Sequence, residues 1–275
     1  MKQFLVDYRD PAARRSFAVG GDGSGLDALK EQLDIYGFAV ADMPADVTPV
    51  SAIELLADGW DLGQPVVPAL YRMPGAEQFD REIAEIRETD RSSHPGFAVR
   101  TAQDFHVDGT LDDPEETPTV VMYCVRAAHR GGNSLLFNAV AAFHDLYQRD
   151  REAASALLHP RVLRRTASLK GIDAYREGEA FRVKNDGTIV NRYSDDGIAT
   201  WTPAEGQSEA LARALDSIRR SSRTADSKYV ASIRLEDGQA LVLRNDRVSH
   251  GREAFTNSPR SPRQLLRAIY GRVPR

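Results

Sequence analysis

From residue 117 onward the chain is a succession of short apolar, β-branched runs: "TPTVVMYCV", "NSLLF", "RVLRRTA", "AFRVKNDGTIVNRY", "KYVASIRLEDGQALVLRND" and "QLLRAIYGR". Two of them are interrupted by Asn185-Asp186-Gly187 and Glu236-Asp237-Gly238, residue types that reverse a chain between antiparallel strands. Helical signals lie elsewhere. Leu26, Leu29, Leu33 and Tyr36 recur at helical spacing and stop at Gly37, and a second helix is read over 49–60, so helical elements fill about 25–60. Further helices are inserted at about 138–157 and 205–221, while "REIAEIRET" suits a helix or a strand. Helices come early and strands late, without the βαβ alternation of a doubly wound parallel sheet. The pattern therefore predicts one domain over 1–275, mainly β with flanking helices, built as an antiparallel sandwich or jelly roll.

Charge narrows the partners. A formal net charge of −4, with 28% charged residues, leaves no basic footprint for nucleic acid or an anionic membrane, so a small molecule is expected instead. No apolar run is long enough for a secretory leader or a membrane span, which predicts a cytoplasmic protein. The single cysteine, Cys124, sits in "TVVMYCV" and reads as a small buried hydrophobe.

In "QDFHVDGTL" a histidine and an aspartate stand two apart. On a strand, residues i and i+2 project to the same side, so His106 and Asp108 could reach one ion while Val107 packs inward; they could equally be two solvated polar residues. A third donor appears far downstream in "LVLRNDRVSHGREAF", where a strand ends in a loop that presents His250 beside Gly251. Two histidines and one carboxylate occupy one face of an octahedral ion and leave three positions open, the arrangement of non-haem Fe(II) oxygenases. His94, His129, His144 and His159 lack a carboxylate at that spacing. In "RQLLRAIYGR", Arg263, Leu265, Arg267 and Ile269 share a strand face. Arginines facing inward there would call for anions, because a guanidinium pairs a carboxylate in bidentate fashion; facing outward they would be simply solvated.

The ordered segments "LDIYGFAVAD", "LGQPV", "FHVDGTL", "RGGNSLLFNAVAAFHDL", "VSHGREAF" and "RQLLRAIYGR" resemble the Fe(II)- and 2-oxoglutarate-dependent dioxygenases of the taurine dioxygenase/TfdA superfamily, including the clavaminate synthase-like hydroxylases, over nearly the whole chain. The resemblance implies a double-stranded β-helix (jelly roll, cupin-like), with His106, Asp108 and His250 as iron ligands. It implies that Arg263 pairs with the distal carboxylate of 2-oxoglutarate, and that Ser134 supplies the hydroxyl usually contributed there by a threonine. It also implies that Arg267 reaches an acidic group of the substrate, and that the reaction consumes O2 and releases succinate and CO2. Asp108 fills the position that related halogenases open for chloride, which favours hydroxylation and leaves desaturation or cyclisation open.

The acidic stretch "VNRYSDDGIATW" suggests that Asp195 or Asp196, with Arg192 nearby, grips the polar end of an amino acid or another small acid; a solvated turn is the alternative. Residues 72–104 precede the metal pair and read as a lid. Two other function classes remain at this stage: a metal-dependent hydrolase using the same three donors, and a non-catalytic jelly-roll protein that binds a small acid.

Overall fold

The computed structural model describes residues 5–88, 96, 99–258 and 261–275. Two sheets face each other. The larger has the order Ser16–Ala18, Phe38–Asp42, Gln239–Arg244, Thr119–Arg126, Gln264–Tyr270 and Ile83–Arg87. Its first pair is parallel and the rest are antiparallel. The smaller runs Val230–Ile233, Ser134–Phe137, Ser249–Arg252 and Gln103–His106, antiparallel throughout. This is the jelly roll, mainly β with flanking helices.

The strand period of two sorts the core into layers. Val120, Met122, Leu241, Leu243, Leu265 and Ile269 of the larger sheet meet Leu136, Ala231 and Ile233 of the smaller between the sheets. Their neighbours Val121, Tyr123, Val242, Ala268 and Tyr270 point the other way, onto the helices Leu26–Tyr36 and Pro49–Gly59. The smaller sheet's outer face, through Phe105 and Phe137, packs on Ala139–Arg149, Arg151–Ala156 and Ser208–Arg223.

Local chemistry explains the helix limits. Gly37 closes the first helix in a left-handed conformation, φ 77°, returning its N–H to the Leu33 carbonyl. Thr48 caps the second by accepting from the Ser51 N–H at 3.1 Å. The insertion expected over 138–157 is two helices, because Asp150 ends the first and its carboxylate caps the second through the Ala153 N–H at 3.0 Å. "REIAEIRET" resolves as the edge strand Ile83–Arg87.

The two turn signals have different outcomes. Asn185–Gly187 closes a hairpin between Phe181–Val183 and Ile189–Asn191. Glu236–Gly238 does not: Val230–Ile233 pairs with Ser134–Phe137 in one sheet and Gln239–Arg244 joins the other. A turn sequence specifies a reversal, but not the partner. Residues Ala240 to Leu243 are buried on both faces, and that demand is met only at the centre of the larger sheet. Of the stretch 72–104 expected as a lid, residues 89–95 and 97–98, His94 among them, lie outside the described residues. Among the described residues no helix is long and apolar enough to cross a membrane.

Leu136 is fully buried between the sheets, directly across from His250. Leu136→Ala should lower unfolding free energy by about 2–5 kcal/mol, read from urea midpoints; a loss under about 1 kcal/mol would show that the interior closes over the missing side chain.

Candidate metal centre and its cavity

Strand pairing brings the far-apart histidines together. In the smaller sheet His250 lies opposite His106, and side chains directly opposite share a face. Their ring centroids are 4.5 Å apart. Packing at this point is close enough to demand a glycine next door: a Cβ on Gly251 would come within 2.6 Å of the Gln103 carbonyl oxygen. One donor atom from each of His106, Asp108 and His250 lies within 4.8 Å of the others.

Asp108 arrives differently from the strand argument, because the strand ends at His106 and Asp108 stands in the loop that follows. Asn245, fully buried, fixes that loop. Its Oδ1 accepts the Asp108 N–H at 2.8 Å, and its Nδ2 donates to the carbonyls of Asp108 at 3.2 Å and Thr117 at 2.9 Å. Arg165, 1% exposed, donates from Nη1 to the Val107 carbonyl at 2.9 Å, between the two donors. Neither residue was singled out in the sequence. "LRND" looks like a strand end and "LRRT" like an ordinary strand, and no local pattern foretells contacts made across more than fifty residues.

The protonation states suit a cation. His106 Nδ1 lies 2.9 Å from the Asp104 carbonyl oxygen, which can only accept, so Nδ1 is the donating nitrogen and Nε2 is the ring nitrogen left for a cation. His250 is buried, and burial with His106 alongside lowers its pKa to about 3, so it is neutral at physiological pH. Burial pushes the Asp108 carboxyl up, but Arg267 and the two histidines outweigh it and hold the group ionised below its ordinary value. Arg267 Nη1 donates to Asp108 Oδ1 at 2.5 Å. Asp108 Oδ2 is buried, 3.7 Å from His250 Nε2, and accepts no hydrogen bond among the described residues. Two histidines, one of them held neutral by burial, and a carboxylate oxygen with no donor among the described residues fit a divalent cation with open positions.

A cavity of about 320 Å³ opens on this trio. Its apolar wall includes Leu70, Tyr71, Ile86, Met122 and Leu265. Arg263 and Ser134 both line it and both are buried; among the described residues the Arg263 guanidinium has no carboxylate partner and sits over the Phe255 ring at 5.2 Å. Asp196 also lines it, 3.2 Å from Arg165. Arg267 lines the cavity, but it is engaged by Asp108.

Two expected substrate residues are used elsewhere. Asp195 turns to the helix Ser208–Arg223, pairing with Arg219 at 2.7 Å and Arg223 at 3.0 Å. Arg192 is buried and donates to the backbone carbonyls of Leu163 at 3.1 Å and Arg176 at 3.0 Å. A run of polar residues on a loop alternates its directions, so adjacency in sequence did not carry adjacency at the cavity. His129, His144 and His159 are absent from the cavity wall. Cys124 is buried, and burial pushes its thiol up to about 12, consistent with a packing role.

Comparisons with known proteins agree with this geometry. A family model described as taurine catabolism dioxygenase TauD, TfdA family, matches residues 20–269. A uridine-5'-phosphate dioxygenase from Amycolatopsis sp is 41% identical over 275 residues, spanning 100% of this chain and 99% of that one. A second protein of that name, from Streptomyces sp, is 35% identical over 254 residues, 90% of each chain. Among solved structures, an asparagine oxygenase in complex with Fe(II), 3-hydroxyasparagine and succinate superposes with a TM-score of 0.68 at 17% identity, over 89% of this chain and 77% of that chain. The non-heme iron oxygenase OrfP with Fe and alpha-ketoglutaric acid gives 0.65 at 17% identity, over 89% and 78%. At such identities the structural likeness speaks for the fold.

Because Asn245 holds both the N–H and the carbonyl of Asp108, Asn245→Ala should weaken Co(II) or Fe(II) binding by about 10–100-fold in a protein that still folds; unchanged affinity in a metal titration would remove Asn245 from this role. Acid should destabilise the metal-free protein. His250 binds its proton only near pH 3 when folded but near its ordinary 6.5 when unfolded, so the unfolded state takes up more protons as pH falls through that window. The urea midpoint should drop between those values, and drop less in His250→Gln.

Proposed function

The chain belongs to the TauD, TfdA family of dioxygenases and is an Fe(II)- and 2-oxoglutarate-dependent oxygenase acting on a small molecule, and from that premise we propose that its substrate is uridine 5'-phosphate or a close nucleotide relative. The observation that carries this reading is the identity of 41% to a uridine-5'-phosphate dioxygenase across the full length of both chains. The amino-acid expectation placed Asp195 or Asp196 on the polar end of the substrate and Arg267 on its carboxylate; Asp195 and Arg192 are bound up in structural contacts, while Asp196 and Arg267 line the cavity and would serve a nucleotide as well.

His106, Asp108 and His250 would hold the iron, and Arg263 with Ser134 the distal carboxylate of 2-oxoglutarate. When bound, iron and 2-oxoglutarate supply the oxidising power: O2 is reduced as 2-oxoglutarate loses CO2 to become succinate, and a substrate C–H is hydroxylated. The protein's own residues orient and exclude. Arg267 aims the Asp108 carboxylate by occupying Oδ1, which leaves Oδ2 for the cation. The same guanidinium, buried beside Tyr71 at the cavity wall, provides positive charge for an acidic group of the substrate. Leu70, Tyr71, Met122 and Leu265 keep the wall dry, which strengthens each charge interaction inside. Asp196, held by Arg165, is a carboxylate on the wall, as is Asp104, able to accept a hydrogen bond from a substrate hydroxyl or N–H.

Purified protein supplied with Fe(II), 2-oxoglutarate and O2 should release succinate in step with consumption of uridine 5'-phosphate, and His106→Ala should fall to background. Arginine or asparagine driving succinate release while uridine 5'-phosphate does nothing would overturn the nucleotide reading, as would succinate release with none of the three above the substrate-free rate.

A further inference from the structure

We propose that Arg252 is a positioning residue of the cosubstrate site, coupling occupancy of the Arg263 pocket to the backbone segment that leads into the His106 strand. The inference rests on the reading that the distal carboxylate of 2-oxoglutarate sits at Arg263 and Ser134. Arg252 is 5% exposed and lines the cavity together with those two residues. It lies directly opposite Ser134 in the strand register, two residues beyond His250. Its guanidinium and that of Arg263 share one aromatic ring, standing 4.9 Å and 5.2 Å from the centroid of Phe255. Neither has a carboxylate partner among the described residues. Two buried like charges on one ring, compensated among the described residues by that ring and neutral dipoles, are costly until an anion arrives.

What Arg252 does hold is backbone. Its Nη2 donates to the carbonyls of Val99 at 2.7 Å and Thr101 at 2.8 Å, while its Nε is buried without a partner among the described residues. Those carbonyls immediately precede the strand Gln103–His106, and the Arg100 carbonyl between them accepts the Phe255 N–H at 3.0 Å. A carboxylate at Arg263 compensates both guanidiniums at once, and so stabilises the conformation in which Arg252 spans the two carbonyls. By reciprocity, breaking that span weakens the carboxylate's binding. Filling the pocket therefore firms the entry to the metal strand.

The test uses the Fe(II)-loaded full chain without oxygen, with 2-oxoglutarate affinity measured by calorimetry and amide hydrogen exchange followed over residues 99–106. In the wild type, 2-oxoglutarate should slow exchange in that segment. Arg252→Met should weaken 2-oxoglutarate binding by about tenfold or more, the scale of one hydrogen bond to a charged group, and abolish the added protection, while Fe(II) affinity stays the same. Arg252→Lys keeps the charge but not the fork, so it should recover much of the affinity and none of the protection. Wild-type affinity together with wild-type protection in Arg252→Met overturns the proposal; if that variant does not fold, the same result in Arg252→Lys does so. Arg263→Gln separates the two layers: normal cosubstrate binding there brings down the pocket assignment itself, whereas loss there beside normal behaviour in Arg252→Met removes only the role of Arg252.

Discussion

The candidate site depends on one register: His250 opposite His106 in the smaller sheet. A slip of one residue would send one of the rings to the helix-covered face, where Phe105 and Phe137 pack, and no cation could draw both imidazoles. The register is secured from both sides. Leu136, on the strand flanking His250, is buried in the apolar layer between the sheets, and Gly251 admits a contact with the Gln103 carbonyl that any side chain would block. The hydrophobic sandwich thus does chemical work at its end, because the same alternation that fills the core chooses which residues face the cavity.

Charge is then placed against the grain of that apolar interior. Asp108, Arg165, Arg252, Arg263 and Arg267 are all buried, and burial of an ion is tolerated where partners compensate it. Arg267 and Asp108 compensate each other, and Arg165 divides itself between Asp196 and the Val107 carbonyl. Arg252 and Arg263 stand apart, having among the described residues an aromatic ring and backbone dipoles instead of a carboxylate. The electrostatic imbalance is local, since the net charge of the whole chain is negative. It marks where an anion belongs, as the bare Oδ2 of Asp108 marks where a cation does.

The substrate question turned on side-chain direction. A sequence reading groups Arg192, Asp195 and Asp196 because they are neighbours, yet the loop sends the first to backbone carbonyls, the second to two arginines of a helix and the last to the cavity. The Glu236–Gly238 turn failed as a hairpin for a related reason: turn chemistry is local, whereas the choice of sheet is made by burial on both faces of the following strand. Asn245 and Arg165 escaped notice because their work is hydrogen bonding to distant backbone, which leaves no periodicity or motif behind.

Sequence alone determined what alternation, caps and donor chemistry can determine. It carried the jelly-roll class, the first two helices with the Gly37 end of the first, the donors His106, Asp108 and His250 and, through the family resemblance, Arg263 and Ser134 as a carboxylate pocket beside a cation. The tertiary structure alone decided how those residues are held and which polar neighbours count. Asp108 is aimed from a loop by Asn245 and Arg267, not by the strand pleat, and the arginine beside Arg263 in the cavity is Arg252, eleven positions away along the chain. The reason is physical: side-chain alternation is written into consecutive residues, whereas hydrogen bonds to buried backbone and the compensation of buried charge exist only between segments that folding brings together.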